Sequence, residues 1–99
     1  MPQDKALTFV VIARIPPHGV LAFQAYEAAV LPLLAEHGGR LERRLRDDGG
    51  TLEVHIVSYP SEAAAQAYRG DTRRAAAAHL LASSSAKVEL LALRNILPS

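Results

Sequence analysis

Two segments, residues 6–15 and 86–97, constrain the fold most, because each has a β-strand composition and is apolar on both alternating sets of positions. In the first, ALTFVVIARI, branched and aromatic side chains occupy both sets. In the second, AKVELLALRNIL, leucine and valine do the same. A strand that is apolar on both faces is covered on both faces. The chain therefore needs a layer of structure on each side of its sheet.

With these two segments as the first and last strands, the predicted elements follow the order β-α-β-β-α-β. Apolar residues recur at steps of three and four over residues 18–37, which predicts a helix with one buried stripe; Pro32 is expected to kink or divide it. The other predicted elements are strands at 40–46 and 52–59, a helix over 61–69 capped by Ser61, a helical segment begun by Asp71, and a loop at 83–85. This order predicts a ferredoxin-like α+β fold, in which helices cover one face of a four-stranded antiparallel sheet and the first and third strands are central.

The uncovered face of that sheet predicts the assembly. Helices lie on one face only, yet the first and fourth strands are apolar on both. A whole apolar sheet face is not left in water, and the economical cover is an identical chain related by a two-fold axis. The sequence therefore predicts a homodimer whose two sheets pack face to face as a barrel.

Composition narrows the class of protein. The 99 residues suit a single domain over 1–99. A net charge of +1 and the lack of stacking aromatics at the exposed-type positions of the central strands, Tyr59 excepted, argue against a nucleic-acid partner. Cysteine is absent and no two histidines have metal-ligand spacing, so neither a metal site nor a cofactor is expected. No signal peptide is recognisable and no apolar run approaches a membrane span, which predicts a cytoplasmic protein without a membrane partner.

Polar residues within the third strand, LEVHIVSY, are the first candidates for a site. A two-residue hairpin turn at Asp48-Gly49 would place Arg44 opposite Glu53 and Glu42 opposite His55. These four side chains would then share the face that meets the partner's sheet.

The pairing of the third strand with the first would complete this set. A register with Ile12 beside His55 places Arg14 beside Glu53 and keeps the apolar sets together. One interpretation is a cross-strand ion ladder at the rim of the dimer interface. The other is a polar spot for an anionic or enolate-like ligand, with His55 as acid or base held by Glu42. His18, at the end of the first strand, is a second candidate acid or base at a pocket mouth.

Two stretches of the sequence resemble the dimeric α/β-barrel superfamily. FQAYEAAVLPLLAEHGGRLERR carries Pro32-Leu33-Leu34 followed by Gly38-Gly39-Arg40, and EVHIVSYPSEAAAQAYRGD carries Tyr59-Pro60-Ser61 followed by Ala63 to Ala65. The motifs are similar to those of a small uncharacterised-domain branch related to the antibiotic-biosynthesis monooxygenases. The resemblance covers residues 7–94.

The resemblance implies a homodimer with a ligand cleft between sheet and helices, which makes Tyr26 and Ser58 candidate lining residues beside His18. Relatives include cofactor-independent monooxygenases, muconolactone isomerases and haem-degrading enzymes. Oxygenases of this kind use tryptophan and asparagine, whereas this chain has no tryptophan and a single asparagine, Asn95. The candidate catalytic residues are His55 and His18, and the candidate ligand-binding residues are Arg14, Tyr26, Glu42, Arg44, Glu53, Ser58 and Tyr59.

Three functions remain open from the sequence. The first is a homodimeric small-molecule-binding protein without an assigned reaction. The second is a cofactor-independent monooxygenase or isomerase that acts on an aromatic or polyketide-like substrate. The third is a non-catalytic dimerisation or regulatory module.

Overall fold

The computed structural model describes residues 6–94 and residue 96, and its element order is the predicted one. The elements are β1 (Leu7–Arg14), a 3-10 turn (Pro17–Gly19), α1 (Val20–Glu36), β2 (Arg40–Arg46), β3 (Leu52–Tyr59), α2 (Glu62–Arg69), α3 (Thr72–Ser84) and β4 (Lys87–Leu93). The strands form one antiparallel sheet in the order β2-β3-β1-β4. The predicted ferredoxin-like α+β fold, with β1 and β3 central, is confirmed.

Helix α1 is the core helix. Its buried stripe includes Phe23, Val30 and Leu34, at the three- and four-residue spacing that places side chains on one helix face. The predicted division at Pro32 is wrong, because α1 is continuous through that residue. Pro32 lies on the exposed side, where water can solvate the carbonyl group that loses its hydrogen bond.

The stretch Pro17–Glu36 also has the length and composition of a helix that could cross a membrane, with a mean hydropathy of 1.2 over an 18-residue window. It is the one such stretch within the residues that the structure describes, and the expectation of no apolar run of that length is wrong. The same composition suits a core helix, and the buried stripe of this helix packs in the protein interior.

The hairpin between β2 and β3 is longer than predicted. A turn is present at Asp48-Gly49, closed by the Gly50 N–H donating to Asp47 O at 3.2 Å. The strands, however, begin to pair only at Asp47, whose N–H donates to Leu52 O at 3.0 Å. The Asp47 carboxylate stabilises this wider loop by accepting bonds from the Thr51 and Leu52 N–H groups at 2.9 and 3.2 Å. Gly50 supplies the positive φ of 74° that the loop requires.

This loop shifts the register of β2 against β3 by two residues. Arg46 lies opposite Glu53 and Arg44 opposite His55, whereas a two-residue loop would have put Arg44 and Glu42 in those positions. A shift of two keeps each side chain on its face. Arg44 and Glu53 therefore share a face as predicted, while a bulge between Leu41 and Arg43 ends the regular alternation.

The register of β1 against β3 differs from the prediction by one residue. Val11, rather than Ile12, lies opposite His55, and Ala13, rather than Arg14, lies opposite Glu53. A one-residue shift moves every side chain to the other face. Glu53 and His55 consequently point toward the helices, and their predicted place on the face that meets a partner sheet is wrong.

The predicted loop at 83–85 is also wrong at its start. Helix α3 continues to Ser84, whose buried hydroxyl donates to Leu81 O at 2.6 Å and accepts from the Ala86 N–H at 3.0 Å. Ser85 ends the helix with a φ of 59°. The final strand spans Lys87–Leu93; residues 95 and 97 of the predicted strand lie outside the described residues.

The sheet face away from the helices is mainly apolar, and we call it the open face. Its side chains come from alternate positions of all four strands and include Val10, Ile12, Leu45, Val54, Ile56, Leu91 and Leu93. Leu45 and Leu93 are 43% and 52% exposed. The face therefore keeps the apolar composition that the sequence pattern predicts for a covered surface.

Candidate functional site

A cavity of about 180 Å³ lies between the helices and the sheet, and we call it the helix–sheet pocket. Apolar walls come from β1 and β3 through Phe9, Val11 and Val57, from α1 through Phe23, and from α3 through Leu81. Its polar lining consists of Tyr26, Glu27, His55, Tyr59, Tyr68, Arg69 and Arg74. The pocket is thus an apolar space with charged groups at a few positions, which is typical of a small-molecule site.

Glu53 is the buried centre of an ion cluster behind His55, in which Arg44 and Arg46 are partly exposed. Its side chain is 1% exposed and accepts hydrogen bonds from His55 Nε2 at 2.7 Å, Arg46 Nε at 2.7 Å and Arg44 Nε at 3.1 Å. Burial by itself raises the pKa of Glu53, but these three bonds outweigh it and lower the pKa below the ordinary value. Glu53 is therefore a fixed anion that holds the Nε2–H of His55.

Glu27 is a second buried carboxyl group, but it lacks the hydrogen bonds that stabilise the charge of Glu53. Its Oε1 lies 3.5 Å from His55 Nε2, beyond a good hydrogen bond, and has no hydrogen-bond partner. Burial and the charge of Glu53 raise the pKa of Glu27 to about 7, and nearby guanidinium groups lower it by less. A carboxyl group that titrates near neutral pH both accepts and releases protons efficiently there.

Arg74 and two tyrosines form a second polar group in the pocket. Arg74 Nη2 donates to Tyr26 Oη at 3.0 Å, and the guanidinium carbon lies 4.6 Å from the ring centroid of Tyr68. The Tyr68 hydroxyl donates to Val30 O at 3.2 Å, and burial raises the pKa of Tyr68 to about 12. Arg74 Nε is buried without an acceptor. These contacts hold the positively charged guanidinium group of Arg74 against the pocket wall.

The structure brings some of the predicted site residues together. His55, Tyr26 and Tyr59 line the helix–sheet pocket. Arg44 and Glu53 form the ion cluster behind His55. Three of these five residues therefore line the cleft between sheet and helices that the family resemblance implied, and the other two lie behind it.

The other predicted residues lie elsewhere. Arg14 is on the open face, with Nη1 3.5 Å from Glu89 Oε1. Glu42 accepts a 2.6 Å hydrogen bond from Ser58 Oγ on the exposed edge of the sheet, and so does not hold His55. His18 is exposed in the 3-10 turn and does not line the pocket. Asn95 lies outside the described residues.

Sequence reasoning missed Glu27 and Arg74. A signal for Glu27 was present, because it lies four residues after Phe23 and three before Val30 on the buried stripe of α1. A charged residue on such a stripe is almost never fully buried unless it is paired or functional. Arg74 carries no comparable signal, since its contact with Tyr26 joins residues 48 positions apart.

Glu27, Glu53 and His55 are also the described residues whose spacing could hold a metal ion, with one ligand atom from each within 4.8 Å of the others. The surroundings suit a cation poorly. Both Glu53 oxygens already accept bonds from arginines or His55, and positive charges adjoin the cluster. Proton transfer or binding of an anion fits these groups better.

Solved structures with the same fold support the family resemblance. Rv0793 from Mycobacterium tuberculosis has 20% sequence identity and a TM-score of 0.74, with 95% of this chain and 98% of that chain covered. SnoaB, a cofactor-independent oxygenase from Streptomyces nogalater, has 21% identity and a TM-score of 0.70, with 97% and 100% covered. A candidate antibiotic biosynthesis monooxygenase from Nitrosomonas europaea has 15% identity and a TM-score of 0.77, with 98% and 96% covered.

The chain has the same fold as these three proteins. No protein-family model matches the sequence, and no curated protein matches it. At these identities the likeness concerns the fold, so function has to be argued from the pocket.

Proposed function

We propose that the chain, as one domain over residues 1–99, binds a small organic molecule in the helix–sheet pocket and transfers a proton to or from it through Glu27. The observation that carries this proposal is the unpartnered Glu27 Oε1, a buried hydrogen-bond acceptor in the wall of the pocket. Burying such a group costs free energy unless something compensates. A ligand that donates a proton or a hydrogen bond to it supplies that compensation.

The reaction class that suits this site is removal of a proton from a carbon or hydroxyl group beside a carbonyl or an aromatic ring. Isomerisation and cofactor-independent oxygenation of such compounds both begin with this step. Glu27 takes the proton, and the negative charge it carried moves onto the substrate. His55, held by Glu53 at 2.7 Å, orients the site. The presence of a cofactor-independent oxygenase among the structures of similar fold supports this class.

Hydrogen exchange tests the proposal directly. Small cyclic ketones, 1,3-diketones and phenols are first screened for binding by ligand-observed NMR. Binders are then incubated with the protein in deuterated buffer near pH 7. We expect the protein to catalyse deuterium incorporation beside the carbonyl group, and Glu27→Gln to reduce the rate by about 10²–10⁴-fold while binding is retained.

Glu36→Gln is the matched control, because Glu36 is on the same helix but is exposed and pairs with Arg73 at 2.8 Å. It should exchange hydrogen at the wild-type rate. Exchange in Glu27→Gln at the wild-type rate, or a pocket that binds none of the compounds, would contradict the proposal.

We further propose that the protein is a cytoplasmic homodimer whose open faces pack together. The apolar composition of the open face supports the dimer, since contiguous exposed apolar patches of this kind mark interaction sites. A dimerisation or regulatory role without catalysis would use the same face. The two functions are separable, because the Glu27 experiment reports on the pocket and the oligomeric state reports on the open face.

A further inference from the structure

We propose that the ligand of the helix–sheet pocket is a small organic anion, with a carboxylate bound by Arg74 and Tyr26 and an apolar body between the sheet and the helices. This inference names the ligand class and rests on the proposed function. The inference goes beyond the proposed function because Arg74 and Tyr26, and not Glu27, would select the ligand.

The charge balance around the pocket is the first support. Arg44 and Arg46 both pair with Glu53. Arg74, by contrast, donates to the neutral Tyr26 hydroxyl at 3.0 Å and lies 3.5 Å from the Arg69 carbonyl oxygen. Among the described residues it has no carboxylate partner. A partly buried guanidinium without a counter-ion attracts an anion to the pocket.

Unused hydrogen-bonding capacity is the second support. Arg74 Nε is buried and has no acceptor. Tyr26 Oη accepts from Arg74 and so keeps its own proton to donate. The guanidinium carbon of Arg74 lies over the Tyr68 ring, 4.6 Å from its centroid, and the planar guanidinium fork suits the two oxygens of a carboxylate. A small rotation of Arg74 toward the pocket would direct Nε at one of them.

The size and walls of the pocket limit the rest of the ligand. About 180 Å³ is smaller than the roughly 300–1,000 Å³ of sites for drug-sized molecules. One ring with a short polar substituent fits such a space. Side chains such as Phe9, Val11 and Leu81 would surround the ring, and they offer no donors for a second charged group.

Glu27 makes anion binding dependent on pH. An anion in the pocket repels the ionised carboxylate of Glu27, so binding is tighter when Glu27 is protonated. The other charged or titratable groups near this carboxyl group are Glu53, His55, Arg44 and Arg46 in the ion cluster, together with Tyr68 and Arg74 itself. The affinity for an anion should therefore fall from pH 6 to pH 8, and Glu27→Gln should reduce that fall.

Isothermal titration calorimetry with benzoate and its neutral isostere benzamide tests the inference. At pH 6 we expect wild type to bind benzoate about tenfold or more tightly than benzamide, because a charge-assisted hydrogen bond contributes about that factor. Arg74→Gln should lose this preference, and Arg74→Lys, which keeps the charge but not the fork, should retain part of it. Arg40→Gln removes the same charge on the exposed strand β2 and should leave the preference unchanged.

The outcomes separate this inference from the proposed function. Equal affinity of wild type for benzoate and benzamide, or an unchanged preference in Arg74→Gln with a wild-type melting curve, overturns the anion site and leaves proton transfer by Glu27 standing. If neither these probes nor the ketones and phenols bind, the pocket is not a ligand site and both proposals fail. Should Arg74→Gln not fold, Arg74→Lys decides the question.

Discussion

Glu27 and Glu53 are two buried carboxyl groups on the helix side of the sheet, yet their environments differ. Glu53 is surrounded by donors from Arg44, Arg46 and His55. Glu27 Oε1 has none. The first environment stabilises the charged form of a carboxyl group and the second favours the neutral form. At the residue scale, this difference separates an anchor for the sheet from a group available for chemistry.

The raised pKa of Glu27 predicts how stability depends on pH. In the unfolded chain the pKa of Glu27 is near the ordinary value of 4.5, and in the folded protein it is about 7. Below pH 4.5 the carboxyl group is protonated in both states and costs nothing. As pH rises toward 7 the unfolded state loses its proton first, so folding stability falls, by about 3 kcal/mol in full above pH 7.

Glu27→Gln should therefore be more stable than wild type at pH 8, and the difference should vanish only well below pH 4.5. Urea unfolding at a series of pH values measures it. Glu36→Gln is again the control and should show no such divergence. A Glu27→Gln protein no more stable than wild type at pH 8 would mean that Glu27 is ionised without penalty.

The ion cluster predicts a second effect at the same scale. Glu53→Gln removes the charge that Arg44 and Arg46 share and should lower the free energy of unfolding by about 2 kcal/mol, the range for hydrogen bonds to charged groups. Glu42→Gln changes a carboxylate on the exposed edge of the sheet and should cost less than about 0.5 kcal/mol. Chemical denaturation of both variants compares them. Equal losses would show that the cluster does not stabilise the fold.

At the scale of elements, boundaries follow from local capping. Ser61 begins α2 as its sequence position predicts, with Oγ accepting from the Ala64 N–H at 3.1 Å. Asp71 begins α3 by accepting from the Arg73 N–H at 2.9 Å. Gly38 follows α1 with a φ of 78°, a conformation that glycine adopts without strain. These signals lie within a few residues of the boundary they define.

Ser61→Ala should cost about 1 kcal/mol, because the Ala64 N–H at the start of α2 loses its acceptor. Ser83→Ala, at an exposed position inside α3, is the matched control and should change stability by less than 0.5 kcal/mol or so, since alanine is a good helix former. Thermal or urea unfolding measures both. An equal change in stability at the two positions would show that the Ser61 cap does not stabilise α2.

At the scale of the whole molecule, the open face is an apolar surface that the described part of the chain does not cover. Val54 and Ile56 of β3 lie beside Val10 and Ile12 of β1 on this face. Such a surface is energetically costly in water. Packing against a second copy would bury it and leave the helix–sheet pocket on the outer side of each sheet.

Val54→Lys tests the dimer. Wild type should have the mass of a dimer by light scattering at micromolar concentration, and a lysine at the centre of the open face should give a monomer because its charge would be buried without a partner. Leu21→Lys places the same side chain on α1, where Leu21 is 82% exposed, and should leave the dimer intact. A monomeric wild type, or a dimeric Val54→Lys, would contradict the proposed assembly.

The sequence by itself determined the order of the elements, most of their boundaries and the apolar character of both faces of the first and last strands. These depend on local periodicity and on caps such as Ser61 and Asp71, which act over a few residues. The sheet order followed from the β-α-β-β-α-β pattern, because few topologies connect such elements. Placing His55, Tyr26 and Tyr59 at one cleft required, in addition, the family resemblance.

Only the tertiary structure decided which face Glu53 and His55 occupy and which groups surround them. The side-chain direction of a strand alternates with every residue, so the one-residue difference in pairing with β1 moved both from the open face to the pocket. The Asp47 loop likewise set which arginines reach Glu53. Glu27 and Arg74 join the site through long-range packing of α1, α3 and the sheet, and no local pattern in the chain encodes that contact.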